Sequence, residues 1–441
     1  MSIYIGIVFA IMNAAIYLKE SKKGLILYIL LSYCVPLSAL GNAKVSYEIL
    51  GFIGIMFVWI LKICRHEFIL KKYYICPMIY MIIYSIATIL SALVHPCAVQ
   101  WTVLSGAFRM VCLFVIFTQE TWQTKLWEYL LRIIVLWNTA AVFIQVLFPA
   151  SFDFFSVYYI KNETWMRRLF TLTWGHKYAR AFGMTSTPSI LSYLCTIGTV
   201  FFLCKCIDRD SKIRDYVFFT FTLICGISTA TKAFFLGTLV CFLVLAVCIL
   251  FFTKKDGRSY LFWTKEKTRA SGMIILAVCL AGYFFDARGI MVSGYLKKST
   301  DIVTALETRY DLGIPDQEDE SRDIPQTAMK QVQVLNPFEI LIGVGATTPY
   351  GEAVQDSEWF MIIHNTGIAG LAAVMLWIGR LIIVSFKKRD IEMILYEIMI
   401  FLLALVINSI FQFTGIVLVS YIHCMNDGSM VRKEDLKAVS R

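Results

Sequence analysis

Long apolar stretches recur along almost the whole chain and constrain its fold more than any other feature. Hydrophobic residues make up 58% of the 441 positions and charged residues only 16%, whereas a soluble globular domain carries about 25% charged residues. A helix needs about 20 apolar residues to cross a bilayer. The composition therefore predicts an all-α, polytopic integral membrane protein whose single membrane domain covers residues 1–441.

Applied along the sequence, that length predicts about 12 or 13 transmembrane helices, with 13 slightly favoured. The first is expected to be retained, because its start has neither a basic segment nor a small-residue cleavage site. The last apolar stretch is long enough for two short helices with a turn near 408–415. The predicted helices are 3–18, 25–41, 47–64, 73–94, 101–118, 127–148, 188–205, 216–230, 233–252, 271–287, 357–386 and two within 391–425.

Basic residues cluster in the connections after the first, third, seventh, ninth and eleventh predicted helices and so indicate the orientation. The clusters lie at 19–23, 65–72, 205–214, 254–269 and 387–389. Cytoplasmic loops of membrane proteins carry an excess of Lys and Arg, so we expect these connections in the cytoplasm. The N-terminus then lies outside and the C-terminus inside. The net charge of +10 follows from this topology and does not indicate a nucleic-acid partner.

Two long polar segments are expected on the outer face. Residues 149–187 form a basic outer loop, against the trend of the other outer connections. Residues 288–356 form a large, acidic outer loop between the tenth and eleventh helices, and the helical spacing at 301–312 favours a folded cap. Neither segment contains cysteine, so a disulfide framework is not expected.

The familiar catalytic motifs are absent from the sequence. It has no CxxC pair, HExxH, phosphate-binding glycine loop or GxSxG, and no His, Asp and Glu cluster has metal-ligand spacing. We therefore expect neither a metal nor a cofactor. The remaining candidates are four cations, one within a predicted helix and three near the outer ends of helices or in the outer loops: Arg109, Arg180, Lys232 and Arg322.

Each of these cations has a structural alternative. Arg109 lies in the middle of a predicted helix, where a charge costs about 3 kcal/mol, so it either binds a ligand or forms a structural ion pair. Arg180 and Lys232 either bind a ligand or extend to lipid headgroups. Arg132 is expected to anchor a cytoplasmic helix end in the same way. Glu397, deep in an apolar stretch, is a candidate partner for one of these cations.

Four short motifs lie in order between residues 175 and 375. The last of them also contains a Gly367–Gly370 spacing that is typical of close helix packing. The motifs are Arg180-Ala-Phe-Gly183 with Pro188, Ser228-Thr-Ala-Thr-Lys232, Arg322 followed by Gly343-Val-Gly345, and Asp356-Ser-Glu-Trp-Phe followed by Gly367-Ile-Ala-Gly370.

In this order the motifs resemble those of the O-antigen and capsule polymerase family (Wzy type), which is related to the O-antigen ligases. The chain departs from the family pattern at Lys232, where Arg is usual. The resemblance implies a metal-independent, inverting glycosyltransferase of the bacterial cytoplasmic membrane. Such an enzyme transfers a growing glycan from undecaprenyl diphosphate to a sugar hydroxyl of the next lipid-linked repeat unit. Its implied partners are that lipid-linked oligosaccharide, membrane lipid and a chain-length regulator.

The resemblance also assigns roles to residues. Arg180 and Arg322 would neutralise the diphosphate leaving group, and Asp356 would act as the general base on the acceptor hydroxyl. These three are the predicted catalytic residues. The predicted substrate-binding residues are Lys232, Arg109, His364 and Glu358.

Two alternative functions are left open. An O-antigen ligase-like transferase is less favoured, because ligases typically have His where this chain has Asp356, and His364 lies eight residues further on. A flippase or transporter of lipid-linked oligosaccharides is the alternative from another class. Transporters often show symmetry between halves of the chain, which is not visible here. The sequence does not distinguish capsule, O-antigen and other exopolysaccharide products.

Overall fold

The computed structural model of the chain is mostly helical. It describes residues 2–40, 43–95, 97–120, 122, 124–160, 170–173, 176–208, 211–229, 231–251, 334–349, 357–405 and 409–426. The helices are α1 (Ile3–Lys19), α2 (Ser21–Cys34), α3 (Tyr47–Cys64), α4 (Ile75–Val94), α5 (Trp101–Gln119), α6 (Thr124–Leu147), α7 (Pro149–Tyr159), α8 (Pro188–Ile207), α9 (Ile213–Ser228), α10 (Lys232–Phe251), α11 (Pro337–Ile342), α12 (Glu358–Lys388), α13 (Ile391–Leu403) and α14 (Phe413–Asn426).

Six helices in the described ranges are long and apolar enough to cross a membrane. They are α3, α4 with the preceding turn from Lys72, α5, α6, α8 and α12. Three shorter apolar helices lie at Ile3–Lys19, Ala233–Cys248 and Phe413–Asn426. Helices of this length and composition are those expected of a polytopic membrane protein. The predicted helix 271–287 and the predicted outer cap 288–356, apart from residues 334–349, lie outside the described residues.

Two short antiparallel hairpins interrupt the helices. β1 (Ser38–Leu40) pairs with β2 (Ala43–Val45), and β3 (Phe170–Thr173) pairs with β4 (His176–Ala179). The prediction of a helix over 25–41 is therefore wrong at its C-terminal end. Pro36 explains the early end, because α2 stops two residues before a proline, which lacks the N–H that a continuing helix needs.

The basic segment 149–187 also contains regular structure, which its charge pattern does not predict. Helix α7 occupies its start and the β3–β4 hairpin lies further on. Phe155 and Tyr159 are four residues apart and so share one face of α7. They pack with Ala141, Ile160 and Phe182 in one buried apolar cluster. Burial of these side chains, above all of the large aromatic rings, stabilises the packing of α7 against its neighbours.

The chain forms two compact units. The first contains the β1–β2 hairpin and the chain from Leu131 through α10. The second contains α1, α3, α4, α5 and the helices from α11 onward. In the second unit α1 packs on α3, α4 packs on α12, and α5 packs on α14.

In the first unit, α8 packs against both α9 and α10. Small residues allow the close approach: a Cβ on Gly198 would lie 2.6 Å from Thr222 Cγ2. A buried ion pair also crosses this unit, since Arg132 Nη2 lies 2.6 Å from Asp215 Oδ1. The expectation that Arg132 extends to headgroups is therefore wrong. Its side chain is only 9% exposed, and a buried guanidinium requires a charged partner.

Buried polar contacts also occur in the second unit. Trp377 Nε1 donates to His423 Nε2 at 2.8 Å, among the rings of Phe114 and Tyr73. Glu397 accepts a hydrogen bond from Ser385 Oγ at 2.6 Å. A hydroxyl therefore occupies the position where the sequence predicted a cation.

Candidate functional site

The first two motifs lie against each other in the first unit. Arg180 Nε donates to the Thr229 carbonyl oxygen at 3.1 Å. One residue later, Ala181 N donates to the Ser228 carbonyl oxygen at 3.0 Å. The first motif precedes α8 and the second connects α9 to α10, so these bonds join segments that are 49 residues apart.

Two buried amides of α6 hold the first motif in place. Gln145 Nε2 donates to the Gly183 carbonyl at 2.8 Å, and Gln145 Oε1 accepts from Phe182 N at 3.2 Å and Gly183 N at 3.1 Å. Asn138 Oδ1 accepts from Met184 N at 2.9 Å. These side chains satisfy backbone groups that would otherwise be buried without partners.

Sequence reasoning missed Gln145 and Asn138, although a signal was present. They are seven residues apart in the largely apolar C-terminal half of α6, so they lie on one helix face. Gly183 requires this support because its φ of +58° is in the left-handed region. A Cβ at Gly183 would lie 2.6 Å from Asn138 Oδ1, so the segment fits closely only with glycine there.

Replacing Gln145 with methionine is expected to destabilise the protein by about 2–4 kcal/mol. The substitution keeps the side-chain length but removes one donor and an acceptor shared by two amides, and each net hydrogen bond contributes about 0.5–1.5 kcal/mol. Unfolding of the purified protein in detergent, followed by circular dichroism, measures the change. Gln100→Met is the matched control. Equal stability of the two variants would contradict the role assigned to Gln145.

The fourth motif contains a break in α12. Gly367 has φ +61° and ψ −165°, which is not helical, so α12 consists of two helical halves. A Cβ at Gly367 would lie 2.4 Å from the backbone carbonyl carbon of Leu341 in α11. The close packing predicted for this glycine spacing is thus confirmed at Gly367, and the glycine is required both for its φ and for its space.

The Gly343-Val-Gly345 turn of the third motif is bonded to this break. Both glycines have positive φ, +80° and +68°. Val344 N donates to the His364 carbonyl and Gly345 N to the Asn365 carbonyl, each at 2.9 Å. A broken helix leaves carbonyls without their usual partners, and in an apolar environment such groups must be satisfied by protein or water. The two backbone N–H groups of the turn provide hydrogen-bond donors for these carbonyls.

Glu358, a predicted substrate-binding residue, is fully buried at the start of α12. Its Oε2 accepts from Ser409 N at 2.7 Å and Ile410 N at 2.5 Å, and its Oε1 accepts from Phe411 N at 2.6 Å. The carboxylate therefore organises the connection between α13 and α14. These two helices and the intervening turn confirm the prediction of two short helices within 391–425.

His364 and Arg109 have defined surroundings. His364 is buried, its Nδ1 lies 3.0 Å from Asn365 Oδ1, and its Nε2 has no hydrogen-bond partner among the described residues. Arg109 Nη2 lies 3.0 Å from Glu48 Oε1, with both side chains about one-fifth exposed. The structural ion pair that the sequence left open for Arg109 is thus present.

Three predicted residues remain: Lys232, Arg322 and Asp356. Lys232 is the first residue of α10. Arg322 and Asp356 lie outside the described residues, so their predicted roles stay predictions. In the described ranges no three His, Cys, Asp or Glu side chains are grouped as metal ligands would be.

A cavity of about 190 Å³ lies in the second unit beside the break in α12. Residues of α4, the start of α5 and the segment after the Gly343–Gly345 turn line it, together with Asn365 and Phe411. The described residues of the four motifs are thus in contact in two pairs, one pair in each unit. No family model matches the chain, and no curated protein and no solved structure is significantly similar to it.

Proposed function

We propose that the chain is a polysaccharide polymerase of the bacterial cytoplasmic membrane. In this proposal it transfers a growing glycan from undecaprenyl diphosphate to a sugar hydroxyl of a lipid-linked repeat unit at the outer face. The observation that carries the proposal is the pairwise contact of its motifs. Arg180 bonds to Thr229 of the second motif, and Gly345 of the third bonds to Asn365, beside the break in the fourth. If the motifs only terminated unrelated loops, there would be no reason for them to bond to one another.

The geometry at Arg180 suits a diphosphate leaving group. A guanidinium has five N–H donors in a rigid plane, and the bond from Nε to Thr229 fixes that plane against the second motif. Preorganised donors of this kind stabilise charge that develops in a transition state. Lys232, at the start of α10 in the same unit, would add a second positive charge.

The acceptor half of the reaction needs a base near a sugar hydroxyl. We assign this role to Asp356 and assign Arg322 as a further cation on the diphosphate. A diphosphate is already an acidic leaving group, so the reaction needs no strong general acid. Protein cations replace the metal ion that many sugar-nucleotide enzymes use.

Reconstitution tests the proposal directly. Purified protein in lipid vesicles is given a synthetic undecaprenyl-diphosphate repeat unit, in buffer with EDTA, and the products are separated by length. The expected result is a ladder of oligomers. Failure to form any ladder would remove the polymerase proposal, and a ladder that forms only with added Mg²⁺ would remove the metal-independent mechanism.

The proposed orientation gives a separate expected result. A cysteine at Ser259, in an otherwise cysteine-free chain, is expected to react with a membrane-impermeant maleimide only after the cells are opened, because the surrounding basic segment should be cytoplasmic. A cysteine at Ser151 is the control for the outer face and should react in intact cells. Labelling of Ser259→Cys in intact cells would reverse the assigned orientation.

A further inference from the structure

The cavity beside the α12 break has a fixed backbone. Ala346 N donates to Thr88 Oγ1 at 2.9 Å, and Gln100 N donates to the Ala346 carbonyl at 2.7 Å. The hydroxyls of Ser91 and Thr347 are 2.6 Å apart. These bonds tie the segment after the glycine turn to α4 and to the start of α5. The cavity is therefore formed before any ligand arrives, as ligand sites usually are.

Its polar lining consists of amides and hydroxyls. Asn365 Nδ2 donates to the Tyr84 hydroxyl at 3.3 Å, and Asn365 Oδ1 is held by His364 Nδ1. Gln100, with an amide side chain, and Thr102, with a hydroxyl, also line the cavity. Within the part of the chain that the structure describes, neither of these two side chains bonds to another protein group. They can therefore donate to and accept from a ligand.

Three aromatic rings form part of the apolar lining, beside Val103, Ala107, Ala346 and Met361; Tyr80 and Tyr84 are buried, whereas Phe411 is half-buried. The rings of Tyr80 and Phe411 stack with centroids 4.5 Å apart and an interplanar angle of 16°, and Tyr84 lies beside Tyr80. Phe411 is positioned by its backbone bond to Glu358. The half-buried Phe411 ring offers a flat apolar surface with an electronegative face, which suits the polarised C–H groups of a sugar ring.

The described residues that line the cavity carry no charge. A phosphate or carboxylate would lose its hydration there without gaining a cation, which is unfavourable. Gln100 is half-buried and Thr102 is exposed. A hydrocarbon chain would take both polar groups out of water without giving them partners, which costs about 1–3 kcal/mol for each group. A ligand that is uncharged, rich in hydroxyls and apolar on one face meets both requirements.

We propose that this cavity binds one uncharged sugar residue through Gln100 and Thr102, with the Phe411 ring packed against its apolar face. That the sugar belongs to a lipid-linked glycan rests on the proposed function. The binding of a free sugar is independent of the proposed function, because it depends only on the cavity.

Saturation-transfer NMR on the full chain in detergent micelles tests the proposal. The probes are glucose, galactose and N-acetylglucosamine, with glucuronic acid as a charged counterpart at equal concentration. The variants are Gln100→Ala and Thr102→Val. Ser105→Ala is the control, since Ser105 lies one turn along α5 and does not line the cavity. Thermal unfolding verifies that each variant is folded.

We expect at least one neutral sugar to receive saturation and glucuronic acid to receive none. Affinity should fall about 3- to 10-fold in Gln100→Ala and in Thr102→Val and stay unchanged in Ser105→Ala. Absence of transfer to every neutral sugar, equal binding of glucuronic acid, or unchanged affinity in both cavity variants would overturn the proposal. Sugar binding without a polymer ladder would remove the polymerase and keep the cavity assignment. A polymer ladder without sugar binding would keep the polymerase proposal and remove the cavity assignment.

Discussion

Replacing Arg180 with alanine is expected to lower the rate of polymer formation about 10²- to 10³-fold, the usual cost of losing one preorganised donor to a developing charge. The effect should fall on turnover more than on substrate affinity, because the charge on the leaving group grows as the glycosidic bond breaks. Arg180→Lys should also be impaired, since an ammonium cannot reproduce the planar arrangement of donors or the bond from Nε to Thr229. The measurement is the initial rate of ladder formation at saturating lipid-linked substrate.

Arg65→Ala is the matched control. Arg65 is exposed just after α3, so this substitution removes one positive charge at a position far from the proposed site in the sequence. If Arg180 only anchored its segment to Thr229, the alanine variant would reach lower levels in the membrane and each remaining molecule would work normally. A well-expressed Arg180→Ala protein that makes full-length polymer at the normal rate would remove Arg180 from the proposed site.

The second large effect is expected at Glu358. Its carboxylate accepts three backbone N–H groups, from Ser409, Ile410 and Phe411. Glu358→Ala leaves those donors buried without partners, and each costs about 1–3 kcal/mol. We therefore expect a loss of at least about 3 kcal/mol in the free energy of unfolding. Glu358→Gln should lose less, because the amide keeps one acceptor oxygen.

Unfolding in detergent measures both Glu358 variants, with Glu67→Ala as the control at an exposed position. A Glu358→Ala protein as stable as the control would show that the carboxylate is not needed to organise the α13–α14 connection. A structural role also predicts that Glu358→Gln, once folded, keeps most of its activity. If the glutamine variant is as stable as the native protein but inactive, Glu358 acts on the substrate as the sequence predicted.

The positions of the helices were accessible from the sequence because they depend on local properties. The predicted segments 47–64, 101–118 and 188–205 agree with α3, α5 and α8 to within two residues. Apolar length alone locates such helices. The split of 391–425 followed from length as well, since the stretch is too long for one helix of ordinary span.

The contacts within the site were not accessible in this way, because they join residues far apart in the sequence. The partner of Arg132 is 83 residues away, and that of Arg180 is 49 residues away. Charge patterns give the side of the membrane on which a residue lies but not the partner that it meets. Gly367 was recognised as a packing residue, whereas its positive φ depends on the backbone of α11 and could not be derived from the helix sequence.

The joined turn and helix break have a consequence for how this part of the protein opens. The amide hydrogens of Val344 and Gly345 are held by carbonyls of α12, so they cannot exchange with solvent hydrogen unless the two segments separate. Separation would in turn leave the His364 and Asn365 carbonyls exposed in the middle of an apolar helix. Neither segment can therefore fluctuate alone, and the turn shares the opening free energy of the helix core. We therefore expect this two-glycine turn, of a kind usually among the most mobile parts of a chain, to be as protected from exchange as the helix to which it is bonded.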